Sequence, residues 1–232
     1  MKKKFIGFIF ARKNSKRLPK KNILKLGNKL LIEHTLLAAI KSKIFKKIIV
    51  STDDKKILSL KKKYKRIDFF KRPDFLAYDN VKNIDVLHYY LKKLNVNKNY
   101  DYFSLMLPTC PFRNHKHLKK GYKLILKNKK LNCVFSATKS HFPIQFALIK
   151  KNGLAKPFLK NSPLLKNNTR SQNQLSTFLP NGGFWICNTK KFLKFKNFYK
   201  GNTKIIDMSR EESIDIDNKF DFKLAKFIIK TK

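Results

Sequence analysis

Apolar residues fall in short runs along this chain, and two different periods separate them. Residues 5–10 form an almost unbroken apolar run and read as a buried strand. Similar runs at 47–51, 67–70, 101–107, 133–137, 183–187 and 204–208 predict further strands. Between them, 31–42, 55–64, 84–94 and 118–126 carry helical spacing, with Ile84, Leu87, His88 and Leu91 on one face. Phe220, Leu224, Phe227 and Ile228 predict a last amphipathic helix over 218–230. Strands alternating with helices predict an α/β fold, a mostly parallel sheet with helices on both faces. Ligands of such sheets bind beyond the C-terminal ends of the strands, where residues 11–22, Asp53 and 108–113 fall. From 142 to 180 the pattern weakens, with Pro143, Pro157, Pro163 and Pro180 interrupting it. That stretch predicts a small lobe that covers the site or contacts a partner subunit. With no internal repeat or linker, 1–232 reads as a single domain.

Hydrophobic residues make up 42% of the 232, including 21 Phe, so a real core is available despite a formal charge of +41. The charge has two readings: attraction to nucleic acid or another anionic surface, or compositional drift. Only 7 of the 55 basic residues are Arg, and the lysines run through every predicted element instead of forming one stripe. Drift is favoured, and a nucleic-acid partner is not expected. Cys110, Cys133 and Cys187 make no metal motif and no disulfide framework, which suits a reducing, cytoplasmic setting. The N-terminal lysine run and residues 5–11 mimic a signal peptide, but Arg12 ends the apolar run and no cleavage site follows. No stretch approaches the roughly 20 apolar residues needed to span a membrane.

Carboxylates are scarce and unevenly placed. Of 14 acidic residues, six lie between Asp207 and Asp221, and none lies between Tyr102 and Ile206. Concentrating them suits a hard divalent cation, which takes oxygen ligands. Asp215 and Asp217 alternate along an extended segment, so both can face one side. Asp217 could instead cap the last helix, which would leave Asp215 unexplained. The loop 11–22 has no phosphate-binding glycine pattern. Arg12, Lys16, Arg17, Lys20 and Lys21 must supply its cations, with Ser15 and Asn22 as hydrogen-bonding groups. The bland alternative is a solvated basic loop. The five histidines lack triad partners or zinc spacing, no base marks Cys110 as a nucleophile, and Trp185 reads as core.

Residues 11–22 resemble the A-R-x-x-S-K-x-x-P-x-K-N loop of the CMP-sialic acid synthetases, the acylneuraminate cytidylyltransferases. The likeness continues in order along the chain. Residues 34–40 and 48–53 resemble the first helix and second strand of that family. Arg72-Pro73 followed by Asp79 resembles R-P-x-x-L-A-x-D, and 108–113 resembles P-T-S-P-L-R. Residues 169–172 resemble T-R-x-Q, 180–182 resemble P-N-G, and 213–221 resemble S-I-D-I-D-x-x-x-D.

The resemblance implies a nucleotide-diphospho-sugar transferase (GT-A-like) fold. It implies transfer of a cytidylyl group from CTP to a nonulosonic acid with Mg²⁺, in the cytoplasm, by a homodimer. Arg12, Ser15, Lys16 and Lys21, with Ala11, would hold the triphosphate. Asn22, Arg72 and Asp79 would lie around the cytidine. Asp215 and Asp217 would bind the metal. Arg170, Gln172 and Asn181 would face the sugar acid, together with Leu107, Thr109 and Gln145. Arg12, Lys21, Asp215 and Asp217 would carry catalysis, and the alignment around Arg170 is open by one residue because of Ser171. Leu107 stands where sialic acid synthetases resemble Gln-Pro-Thr, and Gln145 where some carry Lys, so a 6-deoxy or more acylated acid is an expected substrate. A KDO cytidylyltransferase is the nearest enzymatic alternative, since 17–19 also resemble that relative. A basic nucleic-acid-binding protein is the alternative from another class.

Overall fold

The computed structural model describes residues 3–231; Lys2 of the N-terminal lysine run lies outside them. The strands are β1 (Phe5–Ala11), β2 (Lys25–Leu26), β3 (Lys29–Leu30), β4 (Lys47–Thr52), β5 (Asp68–Lys71) and β6 (Tyr102–Met106), followed by β7 (Cys133–Lys139), β8 (Leu148–Lys151), β9 (Leu154–Pro157), β10 (Phe178–Asn188) and β11 (Thr203–Asp207). The helices are α1 (Leu31–Ser42), α2 (Lys55–Ser59), α3 (Asn83–Lys93), α4 (Val96–Asn99), α5 (His115–Lys127), α6 (Thr189–Phe195) and α7 (Lys219–Lys230).

Seven strands form the main sheet in the order β11-β7-β10-β6-β1-β4-β5. All neighbours are parallel except β10, which runs antiparallel to both β6 and β7. Every residue of β1 is buried, because helices cover both faces of the sheet. On one face Phe5 and Ile9 pack with Ile32 and Leu36 of α1 and Leu118 and Ile125 of α5. On the other, Ile6, Phe8 and Phe10 meet Val86, Leu87, Tyr90 and Leu91 of α3, and Phe192 of α6. Trp185 belongs to this second cluster, and its indole N–H donates to Tyr199.

Three expectations need correction. The strand expected at 183–187 begins at Phe178, and Phe178–Pro180 already pair with β7. Pro180 is tolerated there because the register with β7 shifts between Pro180 and Trp185, at a bulge where ladder bonds lapse. The helix expected over 55–64 stops at Ser59 and tightens into a 3₁₀ turn over Leu60–Lys62. Of the four apolar positions expected to face inward on α7, Phe220, Leu224 and Phe227 are exposed and Ile228 is buried; the helix packs on Leu18, Leu26 and Leu31 through Ala225, Phe222 and Ile229.

Between Lys139 and β10 the chain leaves the sheet as a lobe built on the β8–β9 hairpin, which turns through Asn152 and Gly153, both at positive φ. The lobe exposes Phe142, Leu148, Leu154, Phe158, Leu165 and Leu175. No helix among the described residues is long and apolar enough to cross a membrane.

Candidate functional site

A cavity of about 590 Å³ opens at the C-terminal ends of β1, β5 and β6. The loop that follows β1 forms one wall. The Asn22 side-chain amide donates to the Arg12 carbonyl at 3.0 Å and closes the loop on itself. The Lys13 amide donates to Asp53 at 2.7 Å and pins the loop to the end of β4. Lys20 turns through positive φ, after which Lys21–Ile23 form a 3₁₀ turn that aims Lys21 inward.

Four cations of this loop reach carboxylates on opposite sides of the cavity. Arg12 and Lys16 each lie 3.0 Å from Asp79. Arg17 and Lys21 hold the two oxygens of Asp217 at 2.7 and 2.9 Å. Lys21 is the sheltered partner, its side chain 11% exposed against 69% for Arg17. Buried Arg72 donates to the Ser51 carbonyl at 3.2 Å and stacks against Phe10. Burial lowers its pKa, and its Nε has no partner among the described residues.

The acidic pair enters from the segment before α7. Ile216 is fully buried, and its amide donates to the Thr109 carbonyl at 2.8 Å. That anchor sends Asp215 and Asp217 to the same side, where both line the cavity. The N-cap of α7 is Asn218, whose side chain accepts from the amides of Phe220 and Asp221. Asp217 is therefore not the cap, and the bland account of it falls away. Asp215 opens to the cavity but is set deep among protein atoms. Desolvation raises its pKa, and Asp217 and Asp221 add to the rise against a hydrogen bond from Thr109 and the charge of Lys21. A carboxylate so poorly compensated fits a cation site. Among the described residues no three acidic, His or Cys side chains gather to hold a metal. Mg²⁺ commonly accepts two carboxylates when substrate phosphates and water complete its shell, so the pair fits that ion.

Of the residues singled out in the sequence, Arg12, Ser15, Lys16, Lys21, Asn22, Arg72, Asp79, Leu107, Thr109, Asp215 and Asp217 all line the cavity. Arg17 lines it too, whereas Ala11, Gln145, Arg170, Gln172 and Asn181 stand apart from its lining. Ala11 is buried in β1. Gln145, Arg170 and Gln172 belong to the lobe, where the Gln145 amide donates to the Leu175 carbonyl and Arg170 and Gln172 are exposed. Asn181 is buried; it accepts from Ser136 at 2.6 Å and donates to Ser213 at 2.8 Å, joining β10 to the acidic segment. Cys110 is fully buried, and burial pushes its thiol up to about 11, so it stays protonated and is no nucleophile at neutral pH.

The sequence reading missed Val81, Lys82 and Asn83, which line the cavity where α3 begins. Their proximity to Asp79 was the available signal. The sequence reading placed Arg113 at the end of the 108–113 motif but gave no role to this side chain, one of the largest that are fully buried. Arg113 donates to the Gly183 carbonyl at 2.9 Å, the Thr35 hydroxyl at 2.8 Å and the Leu107 carbonyl at 3.0 Å. Burial pulls its pKa down to about 10, and its second terminal nitrogen has no partner among the described residues.

Known proteins resemble this chain along most of its length. Residues 6–174 match the family described as Cytidylyltransferase. The chain is 33% identical over 229 residues to the N-acylneuraminate cytidylyltransferase of Escherichia coli O18:K1:H7, covering 97% of this chain and 52% of that protein. It thus spans about half the length of that relative. It is 28% identical over 222 residues to the pseudaminic acid cytidylyltransferase of Campylobacter jejuni serotype O:2, covering 95% of this chain and 94% of that one. Among solved structures, a CMP:2-keto-3-deoxy-manno-octonic acid synthetase complexed with CTP superposes with a TM-score of 0.69 at 13% identity, over 98% of this chain and 99% of that one. The 4-diphosphocytidyl-2C-methyl-D-erythritol synthase of Anaerococcus prevotii gives 0.69 at 16%, over 98% and 96%. At such identities these two structures speak for the fold alone.

Proposed function

We propose, given that this chain belongs to the cytidylyltransferase family, that it activates a nonulosonic acid with CTP to give the CMP-sugar and pyrophosphate. One observation carries the reading: the basic loop after β1 and the pair Asp215 and Asp217 line a single cavity. The sugar acid's anomeric hydroxyl would attack the α-phosphorus of CTP, forming a new P–O bond while the bond to pyrophosphate breaks. Such transfers need alignment and charge neutralisation more than covalent help. Arg12, Ser15, Lys16 and Lys21 would hold the triphosphate, with Lys21 and Arg12 offsetting charge on the α-phosphate and the leaving group. Arg72, Asn22 and Asp79 would surround the cytidine. Asp215 and Asp217 would hold Mg²⁺, which when bound neutralises phosphate charge and acidifies a nearby hydroxyl. Lys21 and Arg17 would release Asp217 as they turn to phosphate.

Leu107 gives the cavity an apolar wall where an amide could otherwise bond the sugar, which supports a 6-deoxy or more acylated acid over N-acetylneuraminic acid. The relatives include both an N-acylneuraminate cytidylyltransferase at 33% identity and a pseudaminic acid cytidylyltransferase at 28%, so Leu107 alone carries the preference. The exposed apolar residues of the lobe support a homodimer, with Arg170 and Gln172 exposed on the lobe that would meet the second copy and Gln145 held inside it. Pyrophosphate release from CTP, measured against a panel of nonulosonic acids with and without Mg²⁺, tests the reading. Release with one or more of them is expected; no release with any would sink it. A wild-type preference for N-acetylneuraminic acid that Leu107→Gln leaves unchanged would remove the role given to Leu107.

A further inference from the structure

We propose that Arg113 is a positioning residue that sets the sugar-acid half of the cleft and leaves the nucleotide half alone; the inference rests on the cytidylyltransferase reading. Its three acceptors lie on three separate pieces of chain: Thr35 in α1, Leu107 after β6 and Gly183 in β10. One of these, Leu107, lines the cleft, and Gly183 lies directly behind it. The Leu107 amide donates to the carbonyl of Gly182 at 3.3 Å. Gly182 sits at positive φ, and a Cβ there would meet Leu107 at 3.3 Å and Asp215 at 4.0 Å. The turn from Gly182 to Gly183 and the Leu107–Thr109 segment thus form one corner of the cleft, and Arg113 grips both from behind.

A guanidinium is a rigid planar fork, so bonding Gly183 through Nε and Leu107 and Thr35 through one terminal nitrogen fixes the spacing of all three. A buried cation with no carboxylate partner among the described residues is a costly way to fill volume, and an apolar side chain would pack the same space more cheaply. Its side-chain acceptors, Gly183, Thr35 and Leu107, belong neither to the loop after β1 nor to the segment that carries Arg72 and Asp79. The spacing it sets is therefore that of the glycine turn against Leu107 and Thr109, the two cleft-lining groups assigned to the sugar acid.

The test uses the full chain with Arg113→Lys, which keeps the charge and loses the fork, and Thr35→Val, which removes one acceptor. Arg113→Lys is expected to raise KM for the sugar acid at least about tenfold while Kd for CTP stays within about twofold. Thr35→Val should move KM the same way by about two- to threefold, and it keeps the test open if Arg113→Lys does not fold. Hydrogen exchange supplies a readout that needs no turnover: the amides of Leu107 and Gly183 should exchange faster in both variants, and those of 12–22 should not. Equal losses for both substrates, or exchange that rises throughout the sheet, would make Arg113 a general scaffold residue and overturn the proposal. A wild type that releases no pyrophosphate overturns the enzymatic reading, and the exchange pattern then still decides whether Arg113 clamps this corner alone.

Discussion

Asp215 and Asp217 differ in how their charges are met. Asp217 has a cation on each oxygen, while Asp215 has a hydroxyl and a more distant lysine. Asp215→Asn and Asp217→Asn should each lower turnover at least about 100-fold, the scale of losing a transition-state charge contact. Their thermal melts should differ. Without divalent cation, Asp215→Asn should melt higher than wild type, because it removes a charge the folded cleft solvates poorly. Asp217→Asn should change little, since its ion pairs are partly exposed. Pyrophosphate assays and melts with and without Mg²⁺ check both, and wild-type rates in the two variants would end the metal assignment. Lys21→Ala should lower kcat more than it weakens CTP binding, because its charge matters most as pyrophosphate departs. Arg17→Ala should be much milder, since that side chain is mostly in water. If the two variants behave alike, the loop is only a diffuse basic surface.

Among the elements, α1 carries a pH-dependent anchor at its first turn. Glu33 is buried, which alone would raise its pKa. Hydrogen bonds from Lys63, Tyr64 and the Leu30 amide outweigh this and hold it below the ordinary glutamate range. A depressed folded value means stability that is present above the unfolded pKa and lost as pH falls through the folded one. Glu33→Gln should therefore cost about 1–2 kcal/mol at neutral pH in urea unfolding, with the gap to wild type closing on acidification. A gap independent of pH would mean the loss is one of packing. Elements that bury one face or both were legible in the sequence: β1, β4, α1 and the core of α5 sit where apolar spacing puts them, because burial wrote that spacing. The β8–β9 hairpin was not, although Asn152-Gly153 is a hairpin signal, because its strands are exposed or nearly so and carry no alternation. The stripe on α7 misled for a related reason: Phe220, Leu224 and Phe227 face outward, and of the expected face only Ile228 is buried, while small Ala225 takes the core position. In the site, loop and acidic motifs were readable because chemistry restricts their residue types. Arg113 was visible as the end of the 108–113 motif, but its role was not, since nothing in its neighbours along the chain reveals carbonyls 6 and 70 residues away.

At the scale of the molecule, the lobe between β7 and β10 is the surface expected to join two copies. Leu154 and Leu175 are 65% and 79% exposed. Replacing both by Asp should shift the chain from dimer to monomer in sedimentation, at unchanged CTP affinity; a wild-type monomer would exclude the lobe as a dimer contact. The same excursion has a consequence in time. The strand that bonds β6 to β7 is β10, which follows β7 only after the lobe, with Phe178 the first of its residues to pair. As the chain emerges from the ribosome, β1, β4, β5 and β6 can assemble, but β7 has no place beside them until β10 arrives. It waits with both edges unpaired, which is when strands find wrong partners. Long-range closure of this kind is slow. In refolding followed by pulsed hydrogen exchange, amides of β7 and β10 should gain protection together, after those of β1 and β4, and a nascent chain halted before Phe178 should need a chaperone to stay in solution.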